Sequence, residues 1–161
     1  MLPFIISALV LVMLVGPVMM MRPSSAQRKQ AELRSLAAQK GLIVSGSEQG
    51  PQGQQYITYV LPVKRGKNDQ TNWTLKRQKF AHEAHYCKEW DWLNSAIAGT
   101  VHDEAALKNL LEQESQDFLT LSADRLGVGV GWNEKLNGRT AEVAIEQLKG
   151  FLLRVEKLIN P

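Results

Sequence analysis

The chain has 161 residues, a formal net charge of +3, and 44% hydrophobic against 22% charged residues. That length allows one domain with a modest core, and the composition excludes wholesale disorder. A single cysteine, Cys87, excludes an intramolecular disulfide and agrees with a reducing compartment.

Leu2 to Met21 carries no charged residue. At ~1.5 Å rise per residue such a run spans about 30 Å, the hydrocarbon thickness of a bilayer, which predicts a transmembrane helix over residues 1–22. Ser24 and Ala26 supply the small residues of a signal-peptide cleavage site. Against cleavage stand the lack of Lys or Arg before the apolar run, its length beyond the ~7–15 residues of a signal core, and Arg22-Pro23 at the junction. From Arg22 to Lys40 five bases face one acid, and positive residues stay on the cytoplasmic side. The expected setting is a bacterial inner membrane, crossed once, with the N-terminus outside and the C-terminal domain cytoplasmic. The bilayer is then the first partner, its anionic headgroups met by Arg22, Arg28, Lys29 and Arg34, and a membrane protein is a second.

Residues 23–41 read as a basic juxtamembrane helix, capped by Ser24 or Ser25 and stopped by Gly41. Residues 42–161 read as a soluble α+β domain. Its elements begin with a short strand from Leu42 to Ser45 and a breaker-rich loop from Gly46 to Gln54. Tyr56 to Leu61 and Trp73 to Arg77 form strands of a hairpin, joined by a polar loop from Lys64 to Asn72. Phe80 to Gly99 has no firm period and reads as a short strand near Tyr86 followed by an aromatic-rich loop. Asp103 caps a helix to about Glu114. Phe118 to Ala123 alternates as a half-buried strand, and Val128, Val130 and Trp132 share one side of the next, leaving Gly127, Gly129 and Gly131 on a bare side open to a helix or a ligand. From Thr140 to about Ile159, Ala144, Ile145, Leu148, Phe151, Leu152 and Val155 recur at helical spacing. The architecture expected is an N-terminal transmembrane helix followed by a small antiparallel sheet with two or three amphipathic helices packed on it.

His82, His85 and Cys87 put imidazole and thiolate ligands within six residues, a candidate metal site that His102 would complete only by folding back. The histidines are spaced i and i+3, whereas the metalloprotease helix needs i and i+4. The alternating glycines resemble a phosphate loop superficially, but they lie within a strand and do not open a helix, so close backbone packing is the better reading. Trp90, Trp92 and Trp132 suit a core. The bases from Lys64 to Lys79, near Trp73 and Tyr59, offer phosphate contact and stacking, yet a charged hairpin or headgroup contact explains them more simply than nucleic acid. No catalytic residue is assigned and no cofactor is expected.

The uncharged span, Arg22-Pro23, the basic helix, and Lys40-Gly41-Leu42-Ile43-Val44-Ser45-Gly46 entering a strand resemble the bacterial preprotein translocase accessory subunit YajC over roughly residues 1–50. The glycines after the strand are not adjacent as in that family, and a hairpin and two amphipathic helices follow that it lacks. The whole chain is also similar to small bacterial single-pass inner-membrane proteins. The resemblance implies an accessory role beside the protein-export channel, without catalytic residues. The function expected is that of a membrane-tethered accessory or interaction protein, the alternative being a small metal-binding enzyme or ligand-binding domain that uses His82, His85 and Cys87.

Overall fold

Ser24 opens the first described helix with a reciprocal cap. Its hydroxyl accepts the Gln27 N–H at 3.2 Å, and Gln27 Oε1 accepts the Ser24 N–H at 2.8 Å, satisfying two donors that a helix start leaves without partners. This helix, α1, runs Ser25–Gln39. Gly41, at φ +82°, ends it, because the Gly41 and Leu42 N–H groups turn back to the Ala38 and Ala37 carbonyls, each at 3.0 Å. Glycine takes that left-handed conformation without a Cβ clash. The structure, a computed structural model, describes residues 13, 24–50, 53–66, 71–78, 86–93, 101, 103–114 and 116–159. The chain divides into two compact units, residues 1–32 and 33–161. The sheet and the sites described below belong to the second.

Six antiparallel strands follow among the described residues: β1 (Ile43–Gln49), β2 (Gln55–Pro62), β3 (Trp73–Arg77), β4 (Trp90–Trp92), β5 (Phe118–Asp124) and β6 (Gly127–Trp132). They lie in the order β1-β2-β6-β5-β3-β4. Two further helices lie among the described residues, α2 (Glu104–Gln113) and α3 (Ala141–Ile159). Asp103 caps α2 by accepting the Ala106 N–H at 2.8 Å. Asp124 closes the β5–β6 hairpin by accepting the Leu126 and Gly127 N–H groups at 2.7 and 3.2 Å. Gly127 sits at φ +148°, and a β-carbon there would lie 1.9 Å from the Leu61 carbonyl oxygen, so no other residue fits that crossing.

Strand alternation sends Tyr59, Val130, Leu121 and Leu75 to one face, paired in register across β2, β6, β5 and β3. Leu33 and Ala37 of α1, Leu107 and Leu111 of α2, and the apolar stripe of α3 from Ala144 to Ile159 bury that face in one cluster. The opposite face carries Thr58, Val60, Ser122 and Thr74 in the same registers, and no described helix contributes its buried residues to it.

The expected architecture needs correction. Among the described residues no helix is long and apolar enough to cross a membrane. α3 has the length, 19 residues, but carries Glu142, Glu146, Lys149, Arg154, Glu156 and Lys157, and each such charge at bilayer depth costs about 3 kcal/mol. α1 has 15 residues and is mostly polar. Residues 1–12 and 14–23, on which the predicted span falls, lie outside the described residues. Nor is the sheet small, since it has six strands among the described residues. Two of them depart from expectation. β1 continues to Gln49 because a register shift between Val44 and Ser47 absorbs the breakers and lets Glu48 and Gln49 pair with Tyr56 and Gln55. β4 starts at Trp90 because Cys87 to Trp90 form a tight turn, with Lys88 at φ +48° and Trp90 N–H donating to the Cys87 carbonyl at 2.8 Å. Three residues are too short a strand for any period to show.

Candidate functional site

The residues expected to bind metal fall in two groups. His82, His85 and His102 lie outside the described residues. Cys87 is buried, its Sγ 3.6 Å from the Lys108 carbonyl and 3.7 Å from Glu112 Oε1. Burial, then the Glu112 carboxylate, push its thiol up from the ordinary value, which disfavours the thiolate that a metal requires. Among the described residues no three His, Cys, Asp or Glu side chains converge to hold an ion.

The basic residues are largely engaged with the fold. Arg34 closes on Glu134 at 2.8 Å, Arg65 is buried against Glu156 at 2.8 Å, and Arg77 pairs with Glu89 at 3.2 Å while its guanidinium lies 5.1 Å over Trp90. Arg28 and Lys29 are exposed on α1, and Arg22 lies outside the described residues. Trp90 and Trp132 are core residues, and Trp92 is half-buried against Tyr86 and Trp73 at 4.8 and 5.5 Å. The bare side of β6 is filled by neighbouring side chains, with no helix or ligand needed. A β-carbon on Gly131 would meet Thr120 Oγ1 at 2.2 Å and the Tyr56 ring at 2.6 Å.

A cleft of about 650 Å³ opens where α3 passes the ends of β5 and β6. Beneath it Phe118 and Trp132, paired across the two strands, are buried at 7% and 2% exposed, with Phe118 backed by Phe151 at 5.2 Å. Bulky α3 residues would close the gap, but Ala144 and Gly150 stand there. A β-carbon on Gly150 meets nothing within 4 Å. The rim is polar, made of Gln113 and Glu114 at the end of α2, Arg139 from the loop before α3, and Gln147 and Arg154 on α3.

The Arg139 loop is firmly built. Asp117 accepts from Asn133 Nδ2 at 3.4 Å and from Asn137 Nδ2, and stands 3.6 Å from Arg139. Arg139 donates to the Leu136 carbonyl at 3.0 Å and to Gln147 Oε1 at 2.9 Å. Glu134 and Asn137 both hold positive φ, +57° and +49°. Arg154 is held more loosely. Its Nη2 donates to Glu114 Oε1 at 2.6 Å, which takes one of the five donors of a guanidinium.

The rim is one of amides and guanidiniums, and the volume of about 650 Å³ lies in the size range of ligand pockets. Sequence reading missed the cleft because its wall is assembled from α2, β5, β6, a loop and α3. The one local signal was Gly150 interrupting an otherwise strong helix, since glycine there costs about 1 kcal/mol relative to alanine. No protein-family model, no curated protein and no solved structure matches this chain.

Proposed function

We propose that the chain is a non-catalytic accessory protein whose working part is the cleft beneath α3, where it binds a small organic molecule. The observation that carries this reading is the open space beside Gly150, on the stretch of α3 that lines the cleft. A glycine inside a 19-residue helix weakens it, and nothing in the packing around Gly150 requires one. A cleft kept open at that cost is accounted for when something occupies it.

The test is a fluorescence titration of the full chain with N-phenyl-1-naphthylamine, a flat neutral probe that emits strongly only in apolar surroundings. One saturable site per chain is expected. Gly150→Leu, whose side chain enters the cleft, should abolish it without lowering the melting temperature. Undiminished binding in that variant would remove the cleft from consideration.

A further inference from the structure

Beyond the cleft, we propose that the outward face of α3 pairs two copies of the chain, helix against antiparallel helix, about a two-fold axis at Gly150. Helical periodicity defines the face. At about 100° per residue, Val143 and Lys157 fall about 20° to either side of Gly150, Glu146 and Arg154 about 40°, and Gln147 and Leu153 about 60°. All six are exposed, so Gly150 marks the middle of the side turned from the core. Two of the six are large and apolar, Val143 and Leu153, at 46% and 45% exposed. A β-carbon on Gly150 meets nothing within 4 Å, so a second backbone can come closest at that point. Packed helices most often align their i±4 rows, crossing at about −50°.

Charge complementarity selects the occupant. The i±4 row through the centre reads Glu146, Gly150, Arg154, which is acid, gap, base. Turned end for end it reads base, gap, acid, so an antiparallel copy sets each Glu146 beside the Arg154 of the other. Parallel approach would set like beside like. A two-fold contact uses one patch on both copies in this self-matching way. The flanking charges agree, with Glu142 in the first half of the helix and Lys157 in the second. Glu156 breaks the pattern in sequence but is turned to the buried Arg65 at 2.8 Å. Within its own chain each member of the row commits one atom, Glu146 Oε1 to Lys40 and Arg154 Nη2 to Glu114. Their side chains stay 63% and 56% exposed, and exposed ion pairs of this kind hold weakly. One helix pair lies at the small end of specific interfaces, so the pairing is reversible and depends on concentration.

Sedimentation velocity of the full chain from micromolar to millimolar concentration tests this. The wild type should pass from the mass of one chain to that of two. Glu146→Arg and Arg154→Glu each set like charges together, and each should weaken pairing more than about tenfold. An equal mixture of these two variants should pair again, because one then presents two bases to the two acids of the other. A purely structural role gives no such rescue, since neither variant regains its bond to Lys40 or Glu114 on mixing. A wild type that stays single through the millimolar range, single variants that pair as the wild type does, or a mixture that stays apart would each overturn the proposal. The cleft is read separately. N-phenyl-1-naphthylamine should bind Glu146→Arg as it binds the wild type, since Glu146 does not line the cleft. Loss of the probe with pairing intact removes the cleft alone, and loss of pairing with the probe bound removes the two-fold contact alone.

Discussion

Arg34 grips Glu134 through two parallel hydrogen bonds of 2.8 Å, from Nε to Oε1 and from Nη2 to Oε2. Tyr59 adds a third, its hydroxyl donating to the same Oε1 at 2.7 Å. The Glu134 side chain is 4% exposed and that of Arg34 is 40% exposed. The carboxylate is thus buried and the cation faces water, so loss of the cation strands a charge. Arg34→Met should cost about 2 kcal/mol, below the 3–5 of a fully buried pair because solvent screens the arginine side. Removing both partners, as Arg34→Met with Glu134→Leu, should cost less than the sum of the single changes. Urea unfolding of the three variants measures this, and strict additivity would show that the contact carries no coupling.

Glu134 also holds φ +57°, a region that L residues occupy at a cost of about 1–2 kcal/mol. Glu134→Ala and Glu134→Gly lose the same ion pair, but only glycine relieves the backbone. Glycine should be the more stable of the two by about 1 kcal/mol, reversing the usual order. Equal unfolding midpoints would mean that the loop relaxes without strain.

The alternating glycines of β6 should not respond alike. At Gly131 a new methyl would press on Thr120 and on the Tyr56 ring at 2.2 to 2.8 Å, so Gly131→Ala should lower stability by about 1–3 kcal/mol. At Gly129 the nearest atoms are side-chain ends at 3.0 to 3.4 Å, and Gly129→Ala should be near neutral. Thermal melts of the two variants decide the ranking.

Alkali should weaken the fold in stages. Burial, followed by the carboxylates of Glu112, Glu48 and Glu134 respectively, raises Cys87, pushes Tyr56 up to about 12, and raises Tyr59 further. In the unfolded chain the thiol and phenols ionise near their ordinary values of about 8.5 and 10. Between those values and the folded ones the native state holds more protons, so stability falls as pH rises. It should be fully present below about pH 8 and decline steadily towards about pH 11. Tyr56→Phe should flatten the upper part of that decline, and a urea midpoint that is constant to pH 11 would contradict the assignment.

Asp103 meets the Ala106 N–H at 2.8 Å on an exposed turn. Asp103→Ala should cost about 1 kcal/mol. Because α2 supplies Gln113 and Glu114 to the cleft rim, the same change should speed hydrogen exchange along α2. Unaltered exchange there would mean that packing through Leu107 and Leu111 holds the helix without its cap.

What could be read in the sequence followed from how local each signal is. α3 announced itself because seven of its buried positions repeat at helical spacing on one chain segment. The Ser24 and Asp103 caps and the Gly41 stop are each written within four residues. Glu134 was invisible because its meaning depends on Arg34, one hundred residues earlier, and on a turn whose positive φ no glycine marks. β4 was illegible because the tight turn at Cys87 to Trp90 hides a three-residue strand. The cleft was hidden for the first of these reasons, since its wall and rim come from segments far apart in the chain. The uncharged N-terminal run falls outside the described residues, and the described helices owe their layout to one-sided apolar stripes, which the length of an apolar run does not reveal.

The register shift between Val44 and Ser47 lies on β1, which among the described residues has only β2 as a neighbour. A straight outer strand would offer its spare amides and carbonyls as a template on which another molecule could lay its own strand. Here the kink breaks that row and Glu48 brings a carboxylate to it, so copies of the chain are poorly matched for zipping together side by side. Concentrated solutions should consequently resist fibre growth from this border of the molecule.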